Sequence, residues 1–277
     1  MSVPPGASVV ERVGGGDINE ALRVRLADGT EAFVKTRAEP AEGEFAAEAA
    51  ALEWLSEPGE LRTPAVLAVA PTHLALEWVA GGSLSDAGAE ELGRGLAATH
   101  AAGAGVFGDP GFAPTWGFGA LRVSNEPAED WPTFYGQRRL TPLARVAGKR
   151  GVLSERGVRA VERTCGRLTE LVGRPEAPAR LHGDRWSGNV MAGADGRAWL
   201  IDPAAYGGHR EVDLAMLRLF GPPSPRVLSA YEEVAPLTEG WRDRVELYQL
   251  LALLVHAALF GGSYGSSAER VAVRYGG

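Results

Sequence analysis

Residues 21 to 36, ALRVRLADGTEAFVKT, constrain the fold of this chain more than any other stretch. Leu22, Val24 and Leu26 alternate with other residues, a turn falls at Asp28–Gly29, and the pattern resumes through Phe33 and Lys35. Alternation at a period of two around an Asp-Gly dipeptide predicts a β-hairpin. Just upstream, VGGGDIN sets Gly14, Gly15 and Gly16 between strand-like segments. From Glu42 to Leu55 the period becomes helical, with Phe45, Ala49, Leu52 and Leu55 at core spacing. After Pro64, AVLAVAPTHLALEWV reads as two short strands that end at Gly81–Gly82.

From Asp86 helices take over, with Leu92, Leu96 and Thr99 on one face. Residues 103–132 read as loop, being rich in Gly, Pro and aromatic residues. Helical patterns resume near Thr133 and again around 155–173, a strand period returns between 180 and 202, and helices follow to the C-terminus. Strands first and helices later predict an α+β fold of two lobes. The β-rich N-terminal lobe with one helix spans 1–79, Gly81–Gly82 forms a hinge, and the mainly helical C-terminal lobe spans 80–277.

Composition narrows the partners. A net charge of −7 works against binding a phosphate backbone, so no nucleic acid is expected. Cys165 is the sole cysteine, which forbids an internal disulfide and suits a reducing compartment; its thiol reads as helix packing. The start MSVPPGASVVERV lacks the charged beginning and apolar core of a signal peptide. LYQLLALLVHAALF is too short to span a bilayer and reads as a buried helix. A soluble cytoplasmic chain without a membrane partner is the expectation, with a monomer as the simplest assembly.

The chemistry concentrates in residues 182–202. Two apolar runs, VMA and AWLI, flank the turn-forming GADGR, and an antiparallel pairing would set Asn189 beside Asp202. One amide oxygen and one carboxylate make a hard-oxygen site suited to magnesium with bound phosphates. Asp184, five residues before Asn189, would then be placed to accept a hydroxyl proton. Phosphoryl transfer asks for positioning and charge neutralisation, and its kinase form adds a glycine-rich loop and a strand lysine held by a helix glutamate. Gly14, Gly15 and Gly16, then Lys35 and Glu48, stand in that order upstream of Asp184, Asn189 and Asp202. Glu44 is a rival partner for Lys35 one turn earlier. Glu77 and Val79, in LEWV, would offer backbone groups to an adenine edge. Each feature alone has a plainer reading, as a flexible turn, a solvated lysine or a wet helix face; their ordered co-occurrence favours ATP and Mg2+ as cofactors.

HGDRWSGNV, LIDPAAYGGHREVDLAMLRLFG, EDWPTFYGQRRLTP and GGGDINEALRV together resemble the fructosamine kinase (ketosamine-3-kinase) family of the protein-kinase-like superfamily, which also holds the aminoglycoside phosphotransferases. The resemblance runs from about residue 7 to 266 and implies a bilobal kinase-like fold. It makes Asp184 the catalytic base, Asn189 and Asp202 magnesium ligands, and Lys35 with Glu48 the nucleotide ion pair. Asp213 resembles the buried aspartate that supports the catalytic loop. His209, Arg210 and Glu211 stand where an acceptor could be met, or His209 and Arg210 brace the loop. The implied reaction is ATP-dependent phosphorylation of a sugar O3 on ketoamines formed by glycation, associated with deglycation. An aminoglycoside- or choline-type phosphotransferase of the same fold, or a non-catalytic nucleotide-binding scaffold, is the alternative.

Two residues of HGDRWSGN raise further questions. Arg185 stands where the family commonly has leucine, and the loop position favours a solvent-facing side chain over a phosphate contact. Trp186 stands where many protein kinases carry a lysine. Its broad apolar face suits stacking on the C–H face of a sugar-like acceptor, against the plainer reading of packing in the large lobe.

Overall fold

The computed structural model describes residues 2–14, 19–118, 121–221 and 223–277. By contact the chain divides into two compact units. The first is Met1–Thr99 with Gly188–Ala205 and Ser224–Val234; the second is His100–Ser187 with Tyr206–Pro223 and Ala235–Gly277.

The first unit holds an antiparallel sheet of β1 (Ser8–Val13), β2 (Glu20–Arg25), β3 (Glu31–Thr36), β4 (Val66–Ala70) and β5 (His73–Glu77), in the order β1-β2-β3-β5-β4. β2 and β3 are the expected hairpin. Thr30 N–H donates to Asp28 Oδ1 at 2.9 Å, and Gly29 takes a φ of 89° that a Cβ would resist. Alternation then sorts the two faces. Leu22, Val24, Ala32 and Val34 cluster with Ala75, while Phe33 packs with Phe45, Ala49 and Leu52 of α1 (Glu44–Ser56). Lys35 is two positions from Phe33, so it shares the face that α1 covers.

Gly81–Gly82, expected as a hinge, is packed against the hairpin Val190–Leu200. Gly82 N–H donates to Ala192 O and Ala194 N–H to Ala80 O, both at 2.8 Å. A Cβ on Gly82 would collide with the Gly193 carbonyl, so glycine here serves close backbone approach. These bonds, with Leu200 N–H to Arg62 O at 2.8 Å, fasten the hairpin to the first unit.

In the second unit the segment 103–132 is not all loop. Thr115–Phe118 and Leu121–Ser124 pair antiparallel, with Trp116, Leu121 and Val123 buried. Four-residue strands interrupted by glycine carry too few alternations to be read in sequence. The helix expected from Thr133 is broken as well. Asp130 caps Trp131–Phe134 by accepting the Thr133 N–H at 2.7 Å, Tyr135–Leu140 is a π-helical turn, and Thr141–Lys149 follows. Pro142 has no N–H to give to the carbonyl four residues back, that of Arg138, which instead accepts from Arg139 Nη1 at 3.2 Å.

Arg139 explains much of the aromatic content nearby. Its guanidinium lies 4.4–4.5 Å from the ring centres of Trp116, Phe134 and Tyr206, and Nη2 donates to Asn125 Oδ1 at 2.6 Å. The apolar late stretch is the helix Trp241–Phe260, whose leucines are buried. Among the described residues no helix is long and apolar enough to cross a membrane.

Candidate active site

Lys35 is fixed first, by strand parity. Facing α1, its Nζ lies 2.5 Å from Glu48 Oε1 and 2.5 Å from Asp202 Oδ1. Glu44, the rival partner, is taken by Arg37 and accepts the Ala41 N–H at 2.9 Å. The Lys35 side chain is 8% exposed, and burial works against its charge. The two carboxylates outweigh that and hold the ammonium above the ordinary lysine range. Asp202 is 47% exposed and sits at φ 57°, the sole non-glycine in the left-handed region among the described residues. Holding it there costs about 1–3 kcal/mol, the kind of strain that persists where the surrounding structure imposes it.

The hairpin sets Asn189 and Asp202 one step off the expected register. Val190 pairs with Leu200, so Asn189 stands opposite Ile201, whose N–H donates to Asn189 O at 3.2 Å. Asp202 is one residue further, and the Asn189 side chain spans the offset: Nδ2 donates to Asp202 O at 3.5 Å. Among the described residues no three His, Cys, Asp or Glu side chains form a metal cage. One amide oxygen and one half-exposed carboxylate fit magnesium, which keeps several waters and takes phosphate oxygens for the rest.

Asp184 belongs to the second unit, on a loop pinned by Asp213. Asp213 accepts the N–H of His182 at 2.8 Å and of Gly183 at 3.0 Å, and His100 Nε2 lies 3.3 Å from it. Burial alone would raise the Asp213 carboxyl, but His100 and the backbone bonds prevail and hold it below the usual carboxylate range. Gly183 takes φ 80°, and Asp184 N–H donates to His182 Nδ1 at 3.3 Å. The supporting role expected of Asp213 has this geometry.

The two residues after Asp184 differ in exposure, Arg185 buried and Trp186 half-buried. Arg185 corrects the expectation of a solvent-facing residue: it is fully buried, and its Nε, Nη1 and Nη2 have no hydrogen-bond partner among the described residues. Burial pushes its pKa down to about 10, with Asp213 opposing. The loop is anchored from within: residues 182 and 183 are tied by their N–H groups to the buried Asp213, and Arg185 follows directly on the inward side. Trp186 is half-buried, with its ring 5.6 Å edge-on from Phe220, so it is neither free nor sealed in the core.

His209, Arg210 and Glu211, expected at the acceptor, are occupied by protein partners. Arg210 binds Glu176 at 2.8 and 3.0 Å and two backbone carbonyls, and Glu211 receives Arg244 at 2.6 and 2.8 Å. His209 stacks on Tyr248 at 5.4 Å, and burial pushes its pKa down to about 4. These contacts match the bracing alternative for His209 and Arg210. Glu176 and Arg244 were not singled out in sequence, where lone charges carry no positional signal.

Glu77 ends β5 with its N–H given to Ala65 O at 2.8 Å, and Val79 lies two residues beyond the strand. Gly14 follows β1, whereas Gly15 and Gly16 lie outside the described residues. Cys165 packs its Sγ 3.6 Å from Thr141 Oγ1, and burial raises its pKa, as an inert packing thiol requires.

The profile of the fructosamine kinase family matches residues 6–275 of this sequence. The chain belongs to the fructosamine kinase family. It is therefore a phosphotransferase. A protein of Enterococcus faecium described as a ketoamine kinase is 35% identical over 265 residues, covering 93% of this chain and 91% of that protein. A crystal structure from Thermobifida fusca, described as a fructosamine-3-kinase, superposes with a TM-score of 0.90 at 44% identity, covering 98% of this chain and 93% of that one. A macrolide 2′-phosphotransferase superposes at 0.62 with 16% identity over 96% and 92% of the two chains, which extends the shared α+β fold to antibiotic kinases.

Proposed function

We propose that this fructosamine kinase family member transfers the γ-phosphoryl group of ATP, with Mg2+, to the O3 hydroxyl of a ketoamine sugar, initiating its deglycation. Supporting this most directly is Lys35, held at 2.5 Å by both Glu48 and Asp202. A buried lysine kept charged by a helix glutamate is the device that positions and neutralises nucleotide phosphates. Residues 1–79 serve the nucleotide, with Gly14, Gly15 and Gly16 approaching phosphate and Glu77 and Val79 offering backbone to the base. Residues 80–277 serve catalysis and the acceptor.

Asn189 and Asp202 would hold the magnesium ion, which would supply neutralisation of the phosphate charge. Lys35 gives up Asp202 for phosphate on nucleotide binding while Glu48 keeps its rotamer. Asp184 accepts the proton of the acceptor hydroxyl, on a loop that Asp213 keeps from moving, and Trp186 offers a ring to the sugar. Uncatalysed transfer is slowed by disorder of the reactants, and this positioning removes that cost.

Incubation with ATP, Mg2+ and fructoselysine or ribuloselysine should consume ATP, with the new phosphate located at O3 by phosphorus NMR. Asp184→Asn should lower kcat at least about 100-fold, the usual worth of a positioned general base. Full activity of that variant would remove Asp184 from the role. Turnover of an aminoglycoside or choline with none of any ketoamine would overturn the substrate class.

A further inference from the structure

Phe220 and Phe260 are the most exposed phenylalanines among the described residues, at 44% and 55%. Both lie on one continuous run of rings that begins at the catalytic loop. From Trp186 the run passes to Phe220 at 5.6 Å, to His256 at 5.2 Å, and then to Phe260 at 5.7 Å and Tyr264 at 5.0 Å. Trp186, His256 and Tyr264 are each half-buried, so the run has one face in the protein and one outside.

His256 belongs to the run as a neutral ring. Its Nδ1 lies 2.8 Å from Ala252 O, a carbonyl that can only accept, so Nδ1 carries the proton. Burial lowers its pKa and outweighs the Ala252 bond, which works the other way. The five carry no carboxylate, ammonium or guanidinium group. Contiguous exposed apolar surface is uncommon on a soluble chain unless it receives something.

We infer that this aromatic track is the subsite for the amine-bearing part of the acceptor, and that the preferred ketoamines carry an aromatic ring there. The inference rests on the ketoamine kinase reading above. With the sugar hydroxyl at Asp184 and the sugar ring on Trp186, two residues later, the amine substituent continues along Phe220 and His256 toward Phe260. Aromatic rings gain from edge and offset contacts with such a surface, whereas the ammonium and carboxylate of a free lysine find no charged partner among these five residues.

The test uses the full-length protein and fructosyl ketoamines of glycine, lysine and phenylalanine, which share one sugar. The phenylalanine ketoamine should have a KM about tenfold below that of the glycine ketoamine, and Phe260→Ala and Phe220→Ala should each collapse that ratio several-fold, as loss of one ring contact does. Thermal unfolding checks that each variant folds. Equal KM values for the glycine and phenylalanine ketoamines, or a ratio that survives both variants, overturn the subsite. A preference for the lysine ketoamine overturns the aromatic assignment. If sedimentation shows a dimer that Phe260→Ala dissociates while the ratio stands, the track is an interface between copies and the inference fails. Should no ketoamine be phosphorylated, the kinase reading has failed separately. Calorimetric binding of the phenylalanine ketoamine, weakened in Phe260→Ala, still decides the track in that case: unchanged or absent binding rejects it.

Discussion

Arg185 shows how a single side chain can run against the rest of its loop. A guanidinium with no exposure and three unpartnered nitrogens carries a desolvation penalty that only the charge of Asp213 offsets. Arg185→Leu should therefore raise stability, by about 1–3 kcal/mol in urea unfolding, because replacing a buried ion with an apolar side chain of similar volume is commonly neutral or stabilising. The Lys35 site predicts the opposite. Lys35→Met leaves Glu48 buried, at 13% exposure, beside Asp202 with no cation, and should cost about 3 kcal/mol. The double variant Lys35→Met with Glu48→Gln should recover much of that in the same denaturation assay while remaining inactive. Neither outcome was legible from the residue types. A leucine-like position occupied by arginine, and a lysine ending a strand, look alike in sequence whether buried or wet.

At the scale of elements, the hairpin Val190–Leu200 depends on the backbone approach of Gly82. Gly82→Ala would thrust a methyl group at the Gly193 carbonyl, and one of the two must move. The expected cost is about 1–3 kcal/mol, the range for overpacking a close contact. Hydrogen exchange should report faster opening of the hairpin amides, and ATP turnover should fall because Asn189 and Asp202 flank that hairpin. Elements with five or more residues and a clear period, β2, β3, α1 and the helix Trp241–Phe260, were readable in sequence. Those that were not were short or irregular, the pair at 115–124 and the π-helical turn at 135–140. There the decisive factors are a proline that withholds one N–H and a pairing too brief to leave a period.

The molecule as a whole should lose stability in mild acid through His209. Unfolded, its imidazole takes up a proton near the ordinary value of 6.5; folded, burial refuses that proton until about pH 4. Above 6.5 both states are neutral and the contribution is flat. Between 6.5 and 4 the unfolded state binds more proton, so each step toward acid favours unfolding, to a total of about 3 kcal/mol. His209→Gln should flatten the slope of unfolding free energy against pH across that window, leaving the carboxylate contributions in place. The net charge of −7 could not have indicated this, since it counts charges without their surroundings.

The sequence by itself determined the order of the longer strands and helices, the β2–β3 turn, the face of α1 that is buried, and the set of residues suited to phosphoryl transfer. These follow from periodicity and side-chain chemistry, which neighbours in the chain carry locally. Only the tertiary structure decided that Lys35 meets Glu48 and not Glu44, and that Asp202, 167 positions away, completes the contact. It also decided that Asn189 faces Ile201, that Arg185 is buried, and that His209, Arg210 and Glu211 meet Tyr248, Glu176 and Arg244. Which groups share a low-dielectric space depends on how distant segments pack, and no local pattern encodes that.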